Sequence, residues 1–391
     1  MTGPAGLERL LAPEGFAYAS TQPVADGDPG RYHALFGRDS LITALQLLPV
    51  RPELARATLR ALAAIQGRVD DPLTDEEPGK IVHEQRSALN AHLAGLGWQA
   101  LFREGEFRYY GSADSTSWFL VVLAALGERG LADELEPAWR AAGGWLERAL
   151  QRGAGLVRYG PRRGPLGLTQ QGWRDAIDPL DPAQGGSGIL RDDASVPCPP
   201  LADADCQAVA LMALRALARL SGDGRWEEAA TSLRSSIQAH FGAETMAIEG
   251  DGREVRGAGS QLGWLLWADA LGERAQRAAE RLARPDVLTD FGLRTLSSEH
   301  AAFAAHNYHR GSVWPFDSWL GWGGLRAAGL HDEAERVRVG VLRALDALGG
   351  APELYAVDEE GPCDVALANR IQAWTLGARW ALENGWDGRM L

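Results

Sequence analysis

Residues 171–186, QGWRDAIDPLDPAQGG, bring three aspartates close to a tryptophan in a segment too rich in glycine and proline to form a long helix. The aspartates are Asp175, Asp178 and Asp181, and Asp175 follows Trp173 by two residues. Apolar surroundings disfavour a charged carboxyl group, so they raise its pKa and let it donate a proton near neutral pH. Asp175 is therefore the candidate general acid. Asp178 and Asp181 each precede a proline, a context typical of turns, and we expect them to shape the loop.

A second carboxyl group in an apolar setting occurs far along the chain. Glu353 lies in the segment APELY, between a proline and a leucine–tyrosine pair. Cleavage of a glycosidic bond usually takes two carboxyl groups, one to protonate the leaving oxygen and one to activate water or attack directly. The neighbouring proline, leucine and tyrosine make Glu353 less like a free surface residue, and a helix-capping or surface glutamate is the structural alternative.

Several other segments combine aromatic residues with acids and arginines. Examples are RYHALFGRDS (31–40), EPGKIVHEQR (77–86), RYYGSADSTSW (108–118) and HNYHRGSVWPFDSW (306–319). Indole and phenol rings stack on the C–H faces of sugar rings, and carboxylates and arginines hydrogen-bond to sugar hydroxyls. The combination therefore favours a carbohydrate substrate.

The rest of the composition argues against several other classes of protein. The net charge of -13 is opposite to the basic surface that nucleic-acid binding requires. The sequence contains no glycine-rich phosphate loop and no HExxH motif, so we expect no nucleotide, no cofactor and no metal. His306 and His309 lack a convincing third metal ligand and are interpreted as hydrogen-bonded loop residues.

The N-terminus and the cysteines favour a cytoplasmic protein. The N-terminal residues lack the basic and apolar regions of a secretion signal, and no apolar run is long enough to span a membrane. Cys198, Cys206 and Cys363 form no CxxC pair, and we interpret them as free thiols in a reducing compartment.

Helical periodicity predicts pairs of amphipathic helices joined by tight turns along most of the chain. The expected pairs are 38–67 broken at Pro52, 115–127 with 132–151, 201–220 with 224–241, 258–270 with 273–283, 315–328 with 331–348, and 371–384 with an N-terminal helix at about 5–12. Six such hairpins suggest an all-α fold, an (α/α)6 barrel or six-hairpin toroid with long rim loops. We expect residues 1–391 to form one catalytic domain, with short strands such as GLVRYG and TMAIEG at the rim.

The ends of some helices are predicted from their capping residues. Asp39 or Ser40 is expected to cap the first helix, and Pro52 and Pro315 suit the first turns of two others. Four tryptophans within predicted helices are assigned to the core: Trp118, Trp264, Trp267 and Trp319.

Eight short segments resemble, in order, the signature blocks of the amylo-α-1,6-glucosidase family, the catalytic domain of glycogen-debranching-type enzymes. They are FGRDS, PGKIVHEQR, YYGSADSTSWF, QGWRDAID, GLRTLS, YHRGSVWPFD, PELY and IQAW, and they extend from about residue 31 to residue 376. The family is similar to other six-hairpin α/α-barrel glycoside hydrolases, including mannosylglycerate and glucosylglycerate hydrolases. The resemblance implies the barrel fold and an inverting, exo-acting hydrolase of α-linked glucosides.

The resemblance also implies roles for individual residues. It makes Asp175 the general acid and Glu353 the general base, with Gln372 near the attacking water. Arg38 and Asp39 are expected at the sugar hydroxyls of the innermost subsite. The full set of expected substrate-binding residues is Tyr32, Phe36, Arg38, Asp39, Glu84, Arg86, Tyr110, Trp173, Arg174, His309, Trp314, Asp317, Gln372 and Trp374.

Some of these residues have a structural alternative. Glu84 and Arg86 can form a buried ion pair without contacting a sugar, and Trp314 can belong to the core. Lys80 is the single lysine in an arginine-rich chain. A compact ammonium differs in geometry from the guanidinium fork, so Lys80 has either a specific role or none beyond chance.

The resemblance leaves substrate and activity open in two respects. Debranching enzymes usually carry an N-terminal β-domain before the FGRDS segment, and we expect none here, which favours a small α-glycoside over a long branched glucan. A sugar epimerase or lyase that uses His306, Tyr308 or His309 as a base is one alternative. A carbohydrate-binding protein without catalysis is another. The sequence does not indicate an oligomeric state.

Overall fold

The structure is a computed structural model, and it describes most of the chain. The described residues are 3–21, 32–88, 93, 97–103, 105–162, 167–176, 180, 186 and 188–389. Asp178 and Asp181 lie outside the described residues.

The described part of the chain contains twelve α-helices, which account for most of the regular structure. They are α1 (Gly37–Gln46), α2 (Pro52–Ala64), α3 (Ser115–Leu126), α4 (Arg129–Glu134), α5 (Glu136–Arg152), α6 (Ala204–Ser221), α7 (Arg225–His240), α8 (Gln261–Trp267), α9 (Ala275–Leu282), α10 (Pro315–Ala327), α11 (His331–Leu348) and α12 (Ala373–Asn384). Both helices of five predicted hairpins are present, and the second helix after α3 is split into α4 and α5. None of these helices is long and apolar enough to cross a membrane.

Helices of two kinds alternate along the chain. Helices α1, α3, α6, α8, α10 and α12 are buried on almost every side. Helices α2, α5, α7, α9 and α11 bury one face and expose the other. A helix that is apolar all round needs neighbours on every side, whereas an amphipathic helix covers it from outside. The first set is therefore the inner layer and the second set the outer layer.

The inner helices contact one another in a cyclic order. Helix α1 contacts α3, which contacts α6, and the series continues through α8, α10 and α12 back to α1. Each of the first five inner helices also contacts an outer helix: α2, α5, α7, α9 and α11, respectively. Helix α12 contacts a short 3-10 helix, Leu7–Leu10, which takes the place of the predicted N-terminal helix.

Eleven short strands lie between the helices in the described residues. They are β1 (Leu35–Phe36), β2 (Glu84–Arg86), β3 (Phe102–Arg103), β4 (Glu106–Tyr109), β5 (Ala202–Asp203), β6 (Thr245–Ile248), β7 (Glu254–Arg256), β8 (Leu288–Thr289), β9 (Gly292–Leu293), β10 (Tyr355–Val357) and β11 (Pro362–Asp364). They form antiparallel sheets in the orders β1-β2-β4-β3, β5-β6-β7, β8-β9 and β10-β11. TMAIEG contains β6, as predicted, but GLVRYG forms only an isolated bridge from Tyr159 to Leu201, so its prediction as a strand is wrong.

Helix α1 begins directly from a strand. Phe36 is extended and pairs with Glu84, and the next backbone N–H, of Gly37, donates to the carbonyl of His83 at 3.0 Å. A Cβ on Gly37 would lie 2.2 Å from the carbonyl oxygen of Val82, so this close approach requires glycine. The prediction that Asp39 or Ser40 caps the helix is therefore wrong, because pairing with the strand begins the helix earlier and Asp39 lies inside its first turn.

The structure confirms predictions for two helix starts and for four buried tryptophans. Pro52 and Pro315 occupy the first turns of α2 and α10. The four tryptophans assigned to helix interiors are buried: Trp118, Trp264, Trp267 and Trp319. All three cysteines are free thiols, and the cytoplasmic location stays a prediction.

Candidate active site

A pocket of about 110 Å³ lies where the first turns of inner helices meet the sheet that contains β1 and β2. Helix α1 and the strand before it contribute residues to its wall, as do β2, the residue before α10 and the first turn of α12. Twelve of the sixteen residues predicted from the sequence line this pocket: Tyr32, Phe36, Arg38, Asp39, Glu84, Arg86, Trp173, Asp175, His309, Trp314, Glu353 and Trp374.

Asp175 lies in the pocket beside a buried arginine. Its Oδ2 accepts a hydrogen bond from Nη1 of Arg38 at 3.0 Å, and its side chain is 27% exposed. Burial raises the pKa of Asp175 to about 6, although the charge of Arg38 lowers it, and the negative charges of Asp114 and Glu84 add to the rise. Asp175 can therefore exist as a neutral acid in mildly acidic solution.

Arg38 is held by a second carboxylate on its other side. Its Nε donates to Oδ2 of Asp114 at 2.7 Å, and the side chains are 3% and 1% exposed, respectively. Ser112 donates to the other oxygen of Asp114 at 2.8 Å. Because Arg38 is buried and fixed from the back, its position beside Asp175 is preorganised.

Glu353 lines the same pocket in a different environment. Its Oε1 accepts from the hydroxyl of Tyr308 at 2.6 Å, and its Oε2 accepts from the backbone and side-chain nitrogens of Asn369 at 3.1 and 3.2 Å. Only 3% of the residue is exposed. Three donors directed at one carboxyl group stabilise its charged form, which is the form that a general base needs.

Asp39 is connected to Glu353 through two amide side chains. Nε2 of Gln372 donates to Oδ2 of Asp39 at 3.0 Å, and Oε1 of Gln372 accepts from Asn369 at 3.0 Å. Burial raises the pKa of Asp39 well above its ordinary value, while Arg38 lowers it and Glu353 and Asp175 add to the rise. Gln372 itself lies behind the pocket wall and orients Asp39 and Asn369.

Aromatic rings form another part of the pocket wall. Trp173 stacks on Trp264 with a ring separation of 6.1 Å and meets the edges of Trp314 and Phe316 at 5.4 and 5.1 Å. Trp374 stacks on Phe316 at 4.0 Å. These contacts fix the indoles that line the pocket, so this apolar part of the wall is in place before a ligand binds.

Two charged residues of β2 form a further part of the pocket wall. Glu84 and Arg86 are two residues apart on β2, so their side chains point to the same face of the strand. They form an ion pair, and both are buried and line the pocket. Burial raises the pKa of Glu84, and Arg86 lowers it. Glu84 and Arg86 therefore form a buried ion pair and also line the candidate sugar-binding pocket.

Arg174 and Asp317 lie beneath the pocket and do not line it. Arg174 donates to the carbonyl of Thr295 at 3.1 Å and to Ser260 at 2.9 Å, and its guanidinium lies 4.6 Å from the ring of Trp173. Asp317 accepts from the indole nitrogen of Trp264 at 2.6 Å. Arg174 contacts the ring of Trp173 directly, whereas Asp317 holds Trp264, on which Trp173 stacks.

Tyr110 also lies away from the pocket. Its hydroxyl donates to the carbonyl of Ile65 at 2.7 Å, at the end of α2, and burial raises its pKa to about 12. The side chain holds the loop before α3 against the outer layer. Its prediction as a substrate-binding residue does not agree with this position.

The predicted catalytic and substrate-binding residues do not include six residues that line the pocket: His83, Leu93, Trp98, Leu168, Ala176 and Tyr308. Tyr308 was considered only as the base of an alternative epimerase or lyase. The sequence reasoning also missed Asp114 and Asn369, which position Arg38 and Glu353. Asp114 and His83 lie within segments that resemble the family's signature blocks, and this position could have identified them as site residues. The apolar residues gave no such signal, because a leucine at the pocket resembles any core leucine.

The histidines differ from each other in environment. The pKa of His309 is lowered to about 3 by burial and by Arg174, and its Nδ1 lies 3.2 Å from the carbonyl oxygen of Gly186. His306 is exposed, and its Nε2 lies 3.6 Å from Asp358. His306, Asp358 and Cys363 offer ligand atoms within 4.8 Å of one another, a grouping of potential metal-binding residues that the sequence reasoning did not recognise.

Comparison with known proteins relates this geometry to one group of enzymes. Residues 196–366 match the family model of the mannosylglycerate hydrolase MGH1-like glycoside hydrolase domain. This match covers less than half of the chain and includes Glu353 but not Asp175. No curated protein sequence matches the chain.

Solved structures from Thermus thermophilus are similar over nearly the whole length. A GH63 mannosylglycerate hydrolase in complex with Tris and D-glycerate has a TM-score of 0.69 at 17% identity. The match covers 96% of this chain and 97% of that one. The same hydrolase in complex with glucose has a TM-score of 0.64 at 17% identity, with the same coverage of both chains.

These comparisons confirm the coarser predictions from the sequence. The chain has a helical, α/α-barrel-like fold and is similar to mannosylglycerate hydrolases, and its matched segment is of the glycoside hydrolase class. The matched segment therefore supports a glycoside hydrolase as the class of enzyme, and the solved structures support the fold. The resemblance to glycogen-debranching enzymes in particular receives no separate support.

Proposed function

We propose that this protein is an inverting, exo-acting α-glycosidase that removes the terminal sugar from a small α-glycoside. Asp175 is the general acid and Glu353 the general base. The observation that carries the proposal is the contrast between these two carboxyl groups in one pocket. Asp175 has a pKa raised to about 6 by burial, whereas Glu353 accepts three hydrogen bonds.

The proposed reaction needs only groups of this chain and one water molecule. Asp175 donates its proton to the glycosidic oxygen as the bond to the anomeric carbon breaks. Glu353 accepts a proton from water as that water attacks the opposite face of the same carbon. Inversion by this route requires room for the water, and inverting enzymes separate their carboxyl groups by about 6.5–9.5 Å.

The neighbouring residues support these two steps. Arg38 stabilises the carboxylate that Asp175 becomes after it has donated its proton. Tyr308 and Asn369 fix the orientation of Glu353 towards the water. Asp39, Glu84 and Arg86 are the proposed partners of the sugar hydroxyls, and Trp173, Trp314 and Trp374 provide the apolar wall.

The proposed substrate is a small glycoside because the pocket is compact. Its volume of about 110 Å³ favours one terminal sugar ring over a polymer running through it. The similar structures are of a mannosylglycerate hydrolase, so α-mannosides and α-glucosides of glycerate are the first compounds to test. We further propose that the cyclic contacts of the inner helices close an (α/α)6 barrel that forms one catalytic domain.

An epimerase or lyase that uses His309 or Tyr308 as a base fits the pocket less well. A histidine with a pKa of about 3 is a weak base, and the pKa of Tyr308 is raised well above its ordinary value by burial and by Glu353. Neither group is suited to take a proton from carbon near neutral pH.

The test compares Asp175→Asn and Glu353→Gln with wild type on mannosylglycerate, glucosylglycerate, isomaltose, trehalose and maltooligosaccharides. Each variant is expected to lower kcat by about 10²–10⁴-fold, the usual contribution of a general acid or base. NMR of the first product formed is expected to detect the anomer opposite to that of the substrate.

Glu359→Gln is the matched control, because Glu359 is an exposed carboxyl group close in sequence to Glu353 and outside the pocket. It is expected to retain wild-type activity. Full activity in both catalytic variants would refute the roles of Asp175 and Glu353. Product of unchanged anomeric configuration would refute inversion.

A further inference from the structure

A second cavity lies apart from the catalytic pocket and has no lining residue in common with it. Its volume is about 360 Å³, within the range of about 300–1,000 Å³ that is usual for small-molecule sites. Its lining contains Trp145, Tyr159 and Gln171 together with four cationic side chains: Lys80, Arg152, Arg158 and Arg162.

Lys80, the only lysine of the chain, is buried in this cavity. It is 3% exposed, and within the described residues Nζ donates one hydrogen bond, to the carbonyl of Asp75 at 3.1 Å. The nearest carboxylate oxygen among the described residues, on Glu77, is 3.9 Å away, and the ring of Trp145 lies 5.9 Å from the ammonium. An ammonium has three donors, so a buried one held by a single short hydrogen bond can donate to a further acceptor in the cavity.

Arg158 is a second cation without a carboxylate partner among the described residues. Nε donates to the carbonyl of Gly153 at 3.2 Å, and Nη1 donates to the carbonyls of Ile248 and Glu249 at 3.2 and 2.8 Å. These bonds fix the guanidinium from one side and do not engage Nη2. The positive charge of Arg158 is therefore held in place, and no acid in the described part of the chain pairs with it.

The remaining charges of the cavity do not cancel these two cations. Arg152 pairs with Glu77 at 2.7 Å, and Arg162 pairs with Asp70. Glu77 and Asp70 are the two acids in the described lining. Asp75 lies behind Lys80 and accepts from Tyr109 at 2.8 Å and from Gln171 at 3.3 Å. Even with Asp75 included, the cations exceed the acids.

We propose that this cavity binds a small organic anion through a carboxylate or phosphate group. Lys80 and Arg158 supply the charge, and Trp145 supplies an apolar surface. A site with its cations held in place before binding spends little free energy on ordering side chains. The site is separate from the proposed glycosidase centre and does not depend on that function.

The site also adjoins the segment that carries Trp173 and Asp175. The carbonyl of Gln171 accepts from the backbone N–H of Ala113 at 2.8 Å, and Ala113 directly precedes Asp114, the partner of Arg38. Both Gln171 and Ala113 line the cavity. An anion bound here therefore contacts the reverse side of the loop that holds the candidate general acid.

The experiment measures binding of inorganic phosphate and of acetate to the full chain by calorimetry, with chloride at matched ionic strength. Saturable binding of one or both anions to wild type is expected, and the stronger one identifies the preferred headgroup. Arg158→Met and Lys80→Met are each expected to weaken binding by about tenfold or more, since a charge-assisted hydrogen bond is lost.

Two control variants locate the binding. Arg215→Met removes another half-buried arginine that donates to a backbone carbonyl, that of Ala268 at 2.6 Å, and lies outside the cavity. Arg86→Met removes a cation of the catalytic pocket. Both are expected to bind anion as wild type does. The proposal is overturned if wild type binds neither anion, if Arg158→Met binds as tightly as wild type, or if Arg86→Met is the variant that loses binding.

Discussion

At the scale of single residues, the pKa of Asp175 is set by opposing influences. Burial raises it, the guanidinium of Arg38 lowers it, and Asp114 and Glu84 raise it again. A value of about 6 leaves a minority of the carboxyl groups protonated at pH 7. An enzyme that needs this proton therefore loses activity as the pH rises through that value.

The first prediction concerns the alkaline limb of the pH–activity profile, the range in which activity falls as the pH rises. Removing a positive charge and removing a negative charge near Asp175 are expected to move this limb in opposite directions. A general acid works only when protonated, so kcat/KM of wild type is expected to fall as the pH rises above about 6. Arg38→Met removes a charge that lowers the pKa, and the limb is expected to move up by about 1–3 pH units. Glu84→Gln removes a charge that raises it, and the limb is expected to move down by a smaller amount. The measurement is kcat/KM from pH 4.5 to 9.

Arg60→Met is the control for this series. Arg60 pairs with Glu134 on the exposed outer layer at 2.7 Å, so its loss is expected to leave the limb where it is in wild type. Both pocket variants are expected to lose activity as well, but a loss of activity alone does not move a pH limb. A shift of the same sign in Arg38→Met and Glu84→Gln would contradict the assignment of the limb to Asp175.

Residue types and motif spacing predicted well which segments of the chain meet at the pocket. They predicted less well which side chains of those segments line it. Asp175 and Glu353 are distant in sequence and line one pocket, as the two-carboxyl chemistry suggested. Arg174 follows Trp173 directly and points beneath the pocket, and Tyr110 points towards α2. The direction of a loop side chain depends on backbone dihedrals and on neighbours distant in sequence, and no local pattern in a single sequence contains this information.

At the scale of elements, the beginnings of the inner helices matter most for the site. Helix α1 follows a paired strand, and α6 begins directly after β5. Trp314, before α10, has an extended backbone and follows Val313, which forms a bridge to Tyr355. Gln372, before α12, is also extended and follows Ile371, which forms a bridge to Ala351. The helical periodicity predicted the extents of these helices well. Capping rules failed at α1 because backbone pairing to a distant strand, rather than a side chain, begins the helix.

Close packing of two inner helices depends on glycine. A Cβ on Gly263 in α8 would lie 2.4 Å from the Cα of Gly321, and a Cβ on Gly324 would lie 2.3 Å from the carbonyl oxygen of Gly263. Gly321 and Gly324 are three residues apart and therefore share one face of α10. The two backbones meet at this point without intervening side chains.

The second prediction compares two glycine-to-alanine changes within helices. Gly263→Ala forces the backbones of α8 and α10 apart and is expected to lower the free energy of unfolding by about 1–3 kcal/mol. In Gly144→Ala, on the outer helix α5, the nearest atom to the new methyl group would be the flexible end of Arg148 at 3.4 Å. This change is expected to stabilise the protein by about 0.5–1 kcal/mol, because alanine has the higher helix propensity. Urea denaturation measures both, and a Gly263→Ala variant as stable as wild type would contradict the close contact.

At the scale of the whole molecule, the first and last inner helices are joined by direct contact and by the segment after α12. The indole nitrogen of Trp386 donates to the carbonyl of Leu45 in α1 at 2.8 Å. The carbonyl of Trp386 accepts from Trp319 in α10 at 2.7 Å, and that of Asp387 accepts from Trp267 in α8 at 2.8 Å. Periodicity predicted six hairpins, but not these three links, since an indole bonded to a distant backbone carbonyl leaves no pattern in the sequence.

The third prediction concerns the cooperativity that these links provide. Trp386→Ala removes the indole between α12 and α1 and is expected to lower the free energy of unfolding by about 2–4 kcal/mol, somewhat less than for a fully buried tryptophan. Trp386→Phe retains most of the apolar surface and loses one hydrogen bond, so about 0.5–1.5 kcal/mol is expected. Trp386 does not line the pocket, so kcat/KM at 25 °C is expected to stay within about twofold of wild type under the rule that distant sites are independent.

The measurement follows unfolding of the Trp386 variants by far-UV circular dichroism and by residual activity in parallel. Because each inner helix contacts two others in a cyclic order, the loss of one contact region is expected to weaken the rest, and both signals are expected to change at the same denaturant concentration. Trp139→Phe is the control, because it loses a similar indole hydrogen bond, to the carbonyl of Ala132 at 3.0 Å, in the outer layer. A first transition in which helical signal is lost while activity survives would show that α1 and α12 separate independently of the catalytic pocket, contrary to the cyclic contacts.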